Sequence, residues 1–159
     1  MLVDELGLWT VPFHCTFDGY KTAPLMVERN MYVCAGPRNI CFDRHDRRIF
    51  GVPAKYREAG VERLATNTDA PVLPIEEHFY QATVACRMGW DDSYEALRGL
   101  TRITAEAGLI DDRVGSVEKG KDADLAVFTG DPVDPRSHCE LTIIDGKVVY
   151  DVSRQDRRY

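Results

Sequence analysis

The apolar positions of the first 110 residues fall into short runs separated by longer amphipathic stretches. After a helical stretch at 2–8, Trp9-Thr-Val-Pro-Phe-His14-Cys15 reads as a short strand entering a loop. Asp18-Gly19 makes a turn into a helix over 22–28, with Leu25, Met26 and Val27 among its apolar residues. Met31-Tyr-Val-Cys-Ala35 is a second strand, stopped by Gly36-Pro37, a pair that punctuates regular structure. Residues 38–50 are polar and arginine-rich and read as a long loop of the kind that often carries function. A helix over 53–59 is closed by Gly60 as a left-handed cap. A third strand, 61–68, stops at Asp69 before Ala70-Pro71, and two helices follow at 75–88 and 93–107. Strands alternating with helices predict parallel strands joined by right-handed crossovers.

The pattern changes after Gly108. Lys119-Gly120 is a tight turn, 123–128 a strand, and Gly130-Asp-Pro-Val-Asp-Pro135 a turn-rich loop. Strands at 140–144 and 147–151 are joined by Asp145-Gly146, a strong hairpin signal. So few strands make no independent sheet with a buried face, and they are expected to pair with strands from outside this stretch. The chain therefore divides into a parallel α/β portion at 1–110, a small β portion at 111–152 and a charged tail at 153–159.

Length and composition narrow the classes. The 159 residues can bury one core, and 44% hydrophobic with 29% charged is ordinary for a globular protein. A net charge of −6, with basic residues clustered only locally at 44–48 and 154–158, disfavours nucleic acid as a partner. No apolar run approaches a membrane span, and Met1-Leu-Val-Asp-Glu5 lacks the basic start and apolar run of a signal peptide. Cysteines 15, 34, 41, 86 and 139 are odd in number and form no Cys-x-x-Cys pair, which suits thiols in a reducing cytoplasm.

Three strand–helix units cannot close an eight-stranded barrel, which takes roughly 250 residues. They form either a small open sheet or part of a barrel whose remainder lies elsewhere. In both, chemistry sits at the C-terminal tips of the strands, where loops are free and strands are fixed. That singles out Asp69. Its other reading is a turn cap, a common use of aspartate before Ala-Pro. His14 has two readings as well, a ligand or a strand-end histidine bonded to backbone. Cys15 reads as a buried small hydrophobe, since nothing supports a thiol nucleophile. Lys21 and Arg38 read as solvated surface, and so do His45, His78 and His138.

Asp112-Arg-Val-Gly-Ser-Val-Glu-Lys-Gly-Lys-Asp-Ala-Asp-Leu125, Gly130-Asp-Pro132 and Thr142-Ile-Ile-Asp-Gly-Lys-Val-Val-Tyr150 together resemble the C-terminal segment of the amidohydrolase superfamily. The imidazolonepropionase-like branch is the nearest in pattern. The likeness runs back through Glu95-Ala-Leu-Arg-Gly-Leu-Thr101 and Asn67-Thr-Asp-Ala-Pro71 to Phe13-His14, Gly19-Tyr-Lys21 and the strand end at Gly36-Pro37. The C-terminal block is the specific part of it.

The resemblance implies a metal-dependent hydrolase on a distorted (β/α)8 TIM-type barrel with a small β-sandwich domain. This chain would hold the last three βα units and some sandwich strands. By position, His14 would be the metal-ligand histidine ending the sixth barrel strand. Asp69 would end the eighth, as metal ligand and as catalytic proton shuttle. The implied cofactor is a divalent metal ion, zinc first, and the implied substrate a small molecule with an amide or other C–N bond. The family's His-x-His pair is absent, as is everything through its fifth strand. Its Asn-Pro-Ala after the helix threonine is Ile103-Thr104-Ala105 here, so the likeness does not fix where that helix ends. Two ligands do not complete a zinc site. The expectation is therefore a hydrolase subunit completed by a larger amidohydrolase-like chain; the alternative is a truncated, non-catalytic protein with a structural role.

Overall fold

The computed structural model describes residues 5–37, 39–90 and 92–154. The expectations for residues 2–4, Arg38 and residues 155–159 lie outside them. In order come α1 (Ala23–Glu28), β1 (Val33–Ala35), β2 (Ile40–Asp43), β3 (Arg48–Gly51), α2 (Val52–Glu58) and β4 (Leu64–Thr66). A helical turn at Ile75–Glu77 runs into α3 (His78–Arg87), followed by α4 (Ser93–Leu100) and α5 (Arg102–Ala107). The chain closes with β5 (Leu125–Phe128), β6 (Cys139–Ile144) and β7 (Lys147–Asp151).

β1 and β4 pair in parallel, Val33 opposite Leu64 and Ala35 opposite Thr66. The strand expected at 9–15 is not regular, but its backbone still lies along β1. Cys34 N–H donates to Pro12 O at 3.0 Å and Gly36 N–H to His14 O at 2.9 Å. A step of two residues on both segments is the spacing of a parallel ladder. Among the described residues no backbone N–H of 12–14 is bonded back to β1, so the ladder is incomplete. The layer therefore runs 12–14, β1, β4, all in one direction.

Alternation along the strands sends side chains to two cores. Val33, Ala35 and Leu64 pack with Val52, Tyr56, Ala82, Ala85, Trp90 and Ala96, beneath α2, α3 and α4. Cys34 and Ala65 face the other way, onto Tyr32 and Ile103. Both faces are covered, which is the condition for a parallel layer. The far edge of β4 is covered too. Its residues are buried, Thr66 O takes a hydrogen bond from His78 Nε2 at 3.0 Å, and Gly99 of α4 lies against Leu64 O. His78, expected on the surface, is half-buried and structural.

Two further expectations need correcting. Residues 40–51 are an antiparallel hairpin rather than a loop, with Phe42 opposite Ile49 and Asp43 opposite Arg48. The Asp43 carboxylate accepts the His45 and Asp46 N–H groups and so makes the turn. Cys41 and Phe50 face the core, while Phe42 and Ile49 face water. The helix expected over 93–107 is two helices. Thr101 leaves helical geometry at φ −123° and ψ −87°, while the Thr101 and Thr104 hydroxyls donate back to Leu97 O and Gly99 O. Such back-bonding bends helices.

β5, β6 and β7 form an antiparallel meander, docked on α3 by Phe79 against Phe128 and by Thr83 Oγ1 donating to Val133 O. Its hairpin turns at Asp145 (φ 50°) and Gly146 (φ 71°), the paired positive angles of a type I′ turn. Gly146→Ala forces a Cβ into that conformation. It is expected to cost about 1 kcal/mol, a fall in Tm of roughly 2–4 °C in a thermal melt. Among the described residues no helix is long and apolar enough to cross a membrane.

Candidate metal centre

His14 and Asp69 stand at the C-terminal ends of the first and third segments of the parallel layer, with β1 between them. Neighbouring strands lie about 4.8 Å apart, so their backbones are roughly two such spacings away from each other. The side chains nevertheless converge: His14 Nε2 is 3.7 Å from Asp69 Oδ1, with the two side chains 49% and 41% exposed. Between them β1 ends in Gly36, which carries no side chain. Its φ is 124°, and a Cβ there would sit 2.4 Å from Asn67 O. The bare backbone of Gly36 is what lets β1 lie this close to the chain leading to Asp69.

Both residues sit in backbone conformations uncommon for their type. Asp69 has φ 50°, an angle aspartate tolerates better than most residues. The turn after it is closed by backbone, Val72 N–H to Asp69 O at 2.7 Å and Leu73 N–H to Thr68 O at 3.2 Å. The carboxylate is therefore not spent on capping and faces His14. His14 has φ 67° and is the middle residue of a γ-turn, with Cys15 N–H donating to Phe13 O at 2.9 Å. Cys15 (φ 38°) and Phe17 (φ 54°) continue the left-handed run. Such angles in non-glycine residues cost energy and persist only where the surroundings hold them.

Several residues that sequence reasoning did not single out do the holding. Tyr56 of α2, fully buried, donates its hydroxyl to Cys15 O at 3.1 Å. Asn67 sends its amide to Ala35 O and Cys34 Sγ, tying β4 to β1 two residues before Asp69. Neither has a sequence signal: a tyrosine in an amphipathic helix and an asparagine near a strand end are both ordinary.

The thiols are poor nucleophiles. Burial pushes Cys15 up from its ordinary pKa and Cys34 up to about 11, so neither is appreciably ionised near neutrality. Lys21 is exposed and paired with Asp18, while His45 and His138 are exposed and away from the strand tips.

The amidohydrolase family model matches residues 58–150, more than half of the chain. The chain belongs to the amidohydrolase family. Among solved structures, an amidohydrolase from Thermotoga maritima is 33% identical, with a TM-score of 0.78 over 94% of this chain and 39% of that one. A Xaa-Pro dipeptidase with methionine in its active site is 21% identical, with a TM-score of 0.67 over 94% of this chain and 46% of that one. An adenosine deaminase from Xanthomonas campestris with bound zinc is 23% identical, with a TM-score of 0.61 over 92% and 39%. At those lower identities the likeness is one of fold. This amidohydrolase chain thus spans about two fifths of the length of the structures it matches. No curated protein matches it significantly.

Members of the family are metal-dependent, and the donor pair here suits a metal. Two ligands at about 2.0–2.2 Å from one tetrahedral ion stand roughly 3.3–3.5 Å apart. The 3.7 Å between His14 Nε2 and Asp69 Oδ1 is within a small side-chain adjustment of that edge. Imidazole nitrogen and carboxylate oxygen are both ordinary zinc donors. Among the described residues no cluster of three or more His, Cys, Asp or Glu side chains forms a fuller site. The described residues thus offer two candidate donors, fewer than the three protein groups a zinc site needs.

Proposed function

We propose that this chain provides the C-terminal part of the active site of a metal-dependent amidohydrolase acting on an amide or other C–N bond. The convergence of His14 and Asp69 at the tips of parallel strands carries the reading. In it, residues 1–110 are the last three βα units of a (β/α)8 barrel, and 111–152 are strands of a small β-sandwich. His14 Nε2 and Asp69 are metal ligands, zinc being the first expectation.

When bound, a divalent ion lowers the pKa of a water from about 15.7 towards 7 and polarises the carbonyl under attack. Asp69 does the proton work. Its half-exposed carboxylate accepts the proton of the attacking water and passes it to the leaving nitrogen, a transfer that one carboxylate serves in both directions. His14 would supply the ring nitrogen that stands beside Asp69 as the second donor.

The remaining ligands come from protein outside these 159 residues, which we assign to a larger amidohydrolase-like chain bearing the His-x-His pair. Two observations support an assembly. The donor set is short by at least one ligand among the described residues. Large apolar side chains near these two residues in the chain are also exposed: Phe13 and Phe17 on either side of His14, Val72 and Ile75 after Asp69, each more than half exposed. Exposed apolar groups of this size fit an interaction surface. The five cysteines are thiols rather than disulfides, which fits a reducing compartment, the cytoplasm.

Native mass spectrometry with metal analysis, on the chain purified from its own source, tests this. The expected result is a larger co-purifying chain and a bound divalent ion. A metal-free species made only of this chain overturns the catalytic reading in favour of a structural remnant.

A further inference from the structure

We propose that Tyr56 is a positioning residue for His14, its hydroxyl holding the γ-turn that aims the imidazole at Asp69. The inference rests on the reading of His14 as a ligand and adds to it the group that fixes its geometry.

The left-handed run at His14, Cys15 and Phe17 does not hold itself, because each residue has a Cβ that disfavours φ above zero. Three contacts retain it. Gly36 N–H binds His14 O from β1 at 2.9 Å, Cys15 Sγ donates to Pro12 O at 3.3 Å, and Tyr56 Oη donates to Cys15 O at 3.1 Å. The first two come from the layer or from the turn itself. Only the third of these brings in a rigid element from outside it. Tyr56 lies on α2 with no exposure, packed in the main core with Val52 and Trp90, so its hydroxyl is a fixed point.

The following loop is fitted around the same group. A Cβ on Gly19 would stand 2.7 Å from Tyr56 Oη, so the glycine makes room for the hydroxyl. The tyrosine thus serves two positions of one loop, one residue and five residues after His14. Partners that orient a metal-ligating imidazole typically change metal affinity by about 10–100-fold when removed. Tyr56 acts through the backbone of its neighbour, which puts the expected loss at the lower end of that range.

Zinc chloride titrated into the full chain tests this; His14 and Asp69 alone give only weak two-donor binding, which is read at the His14 ring resonances. Tyr56→Phe keeps the ring and loses the hydroxyl. It is expected to weaken zinc binding about tenfold while the melting curve stays cooperative. In a His14→Ala background the same substitution is expected to cost nothing more, because the effect passes through His14. Gly19→Ala, which pushes the hydroxyl off Cys15 O, is expected to repeat the loss with the core untouched. Unchanged zinc affinity in both variants overturns the proposal, and so does a Tyr56→Phe loss that persists without His14. If His14→Ala itself leaves zinc binding unaltered, the ligand reading falls on its own account. The hold on the turn is then judged by the Cys15 and Gly36 amide resonances, which must move in Tyr56→Phe; unmoved, they overturn it.

Discussion

In the proposed assembly, Asp69→Asn is expected to abolish turnover, a loss of at least about 10²–10⁴-fold, while assembly and melting behaviour stay close to wild type. The substitution is nearly isosteric, and asparagine tolerates the φ of 50° that this position requires. The turn that follows is closed by backbone atoms, so no cap is lost. What disappears is the ability to take a proton and one anionic donor facing His14 Nε2. Steady-state rates and native mass spectra on the same preparation decide the matter. Wild-type turnover by the variant removes Asp69 from the chemistry; loss of assembly instead makes it a structural residue.

Gly36→Ala is expected to be the most damaging single methyl in the layer. The position needs φ 124°, a region that L residues rarely enter, and the new Cβ would meet Asn67 O at 2.4 Å. That atom is backbone, so no side-chain rotation relieves the contact. Strain and overpacking of this kind together come to about 3–5 kcal/mol. Relief requires β1 and β4 to part just below the point where His14 and Asp69 converge. Stability to denaturant and zinc binding should therefore fall together. A variant with a near-native midpoint shows that the strands separate without cost.

How much of this was legible in the sequence depends on which interaction decides each element. The strands at 31–35 and 61–68 are apolar runs bounded by Gly-Pro and Asp-Ala-Pro, and composition with turn chemistry was enough for them. Asp145-Gly146 was equally plain, because both residues tolerate the conformation the turn demands. The hairpin at 40–51 was missed because Phe42 and Ile49 face outward and arginines flank the turn, which hides the two-residue alternation. The break at Thr101 depends on threonine back-bonding that does not show in helix propensity. His14 and Asp69 were visible as residue types at strand tips, and their convergence follows from a bare Gly36 between them. Tyr56, Asn67 and His78 act through contacts across 12 to 41 residues of chain, and no local pattern signals those.

The covered rim of β4 has a consequence for how the molecule behaves at high concentration. A short parallel layer that ends in free N–H and C=O groups templates the addition of further strands, the route by which small β assemblies grow into fibres. Here the outward carbonyl of Thr66 is occupied by an imidazole from the chain's own helix, and that of Leu64 lies beneath the close approach of Gly99. A histidine and a glycine, neither of them in the proposed chemistry, shield the outward carbonyls of β4 from unwanted strands while the chain is unassembled.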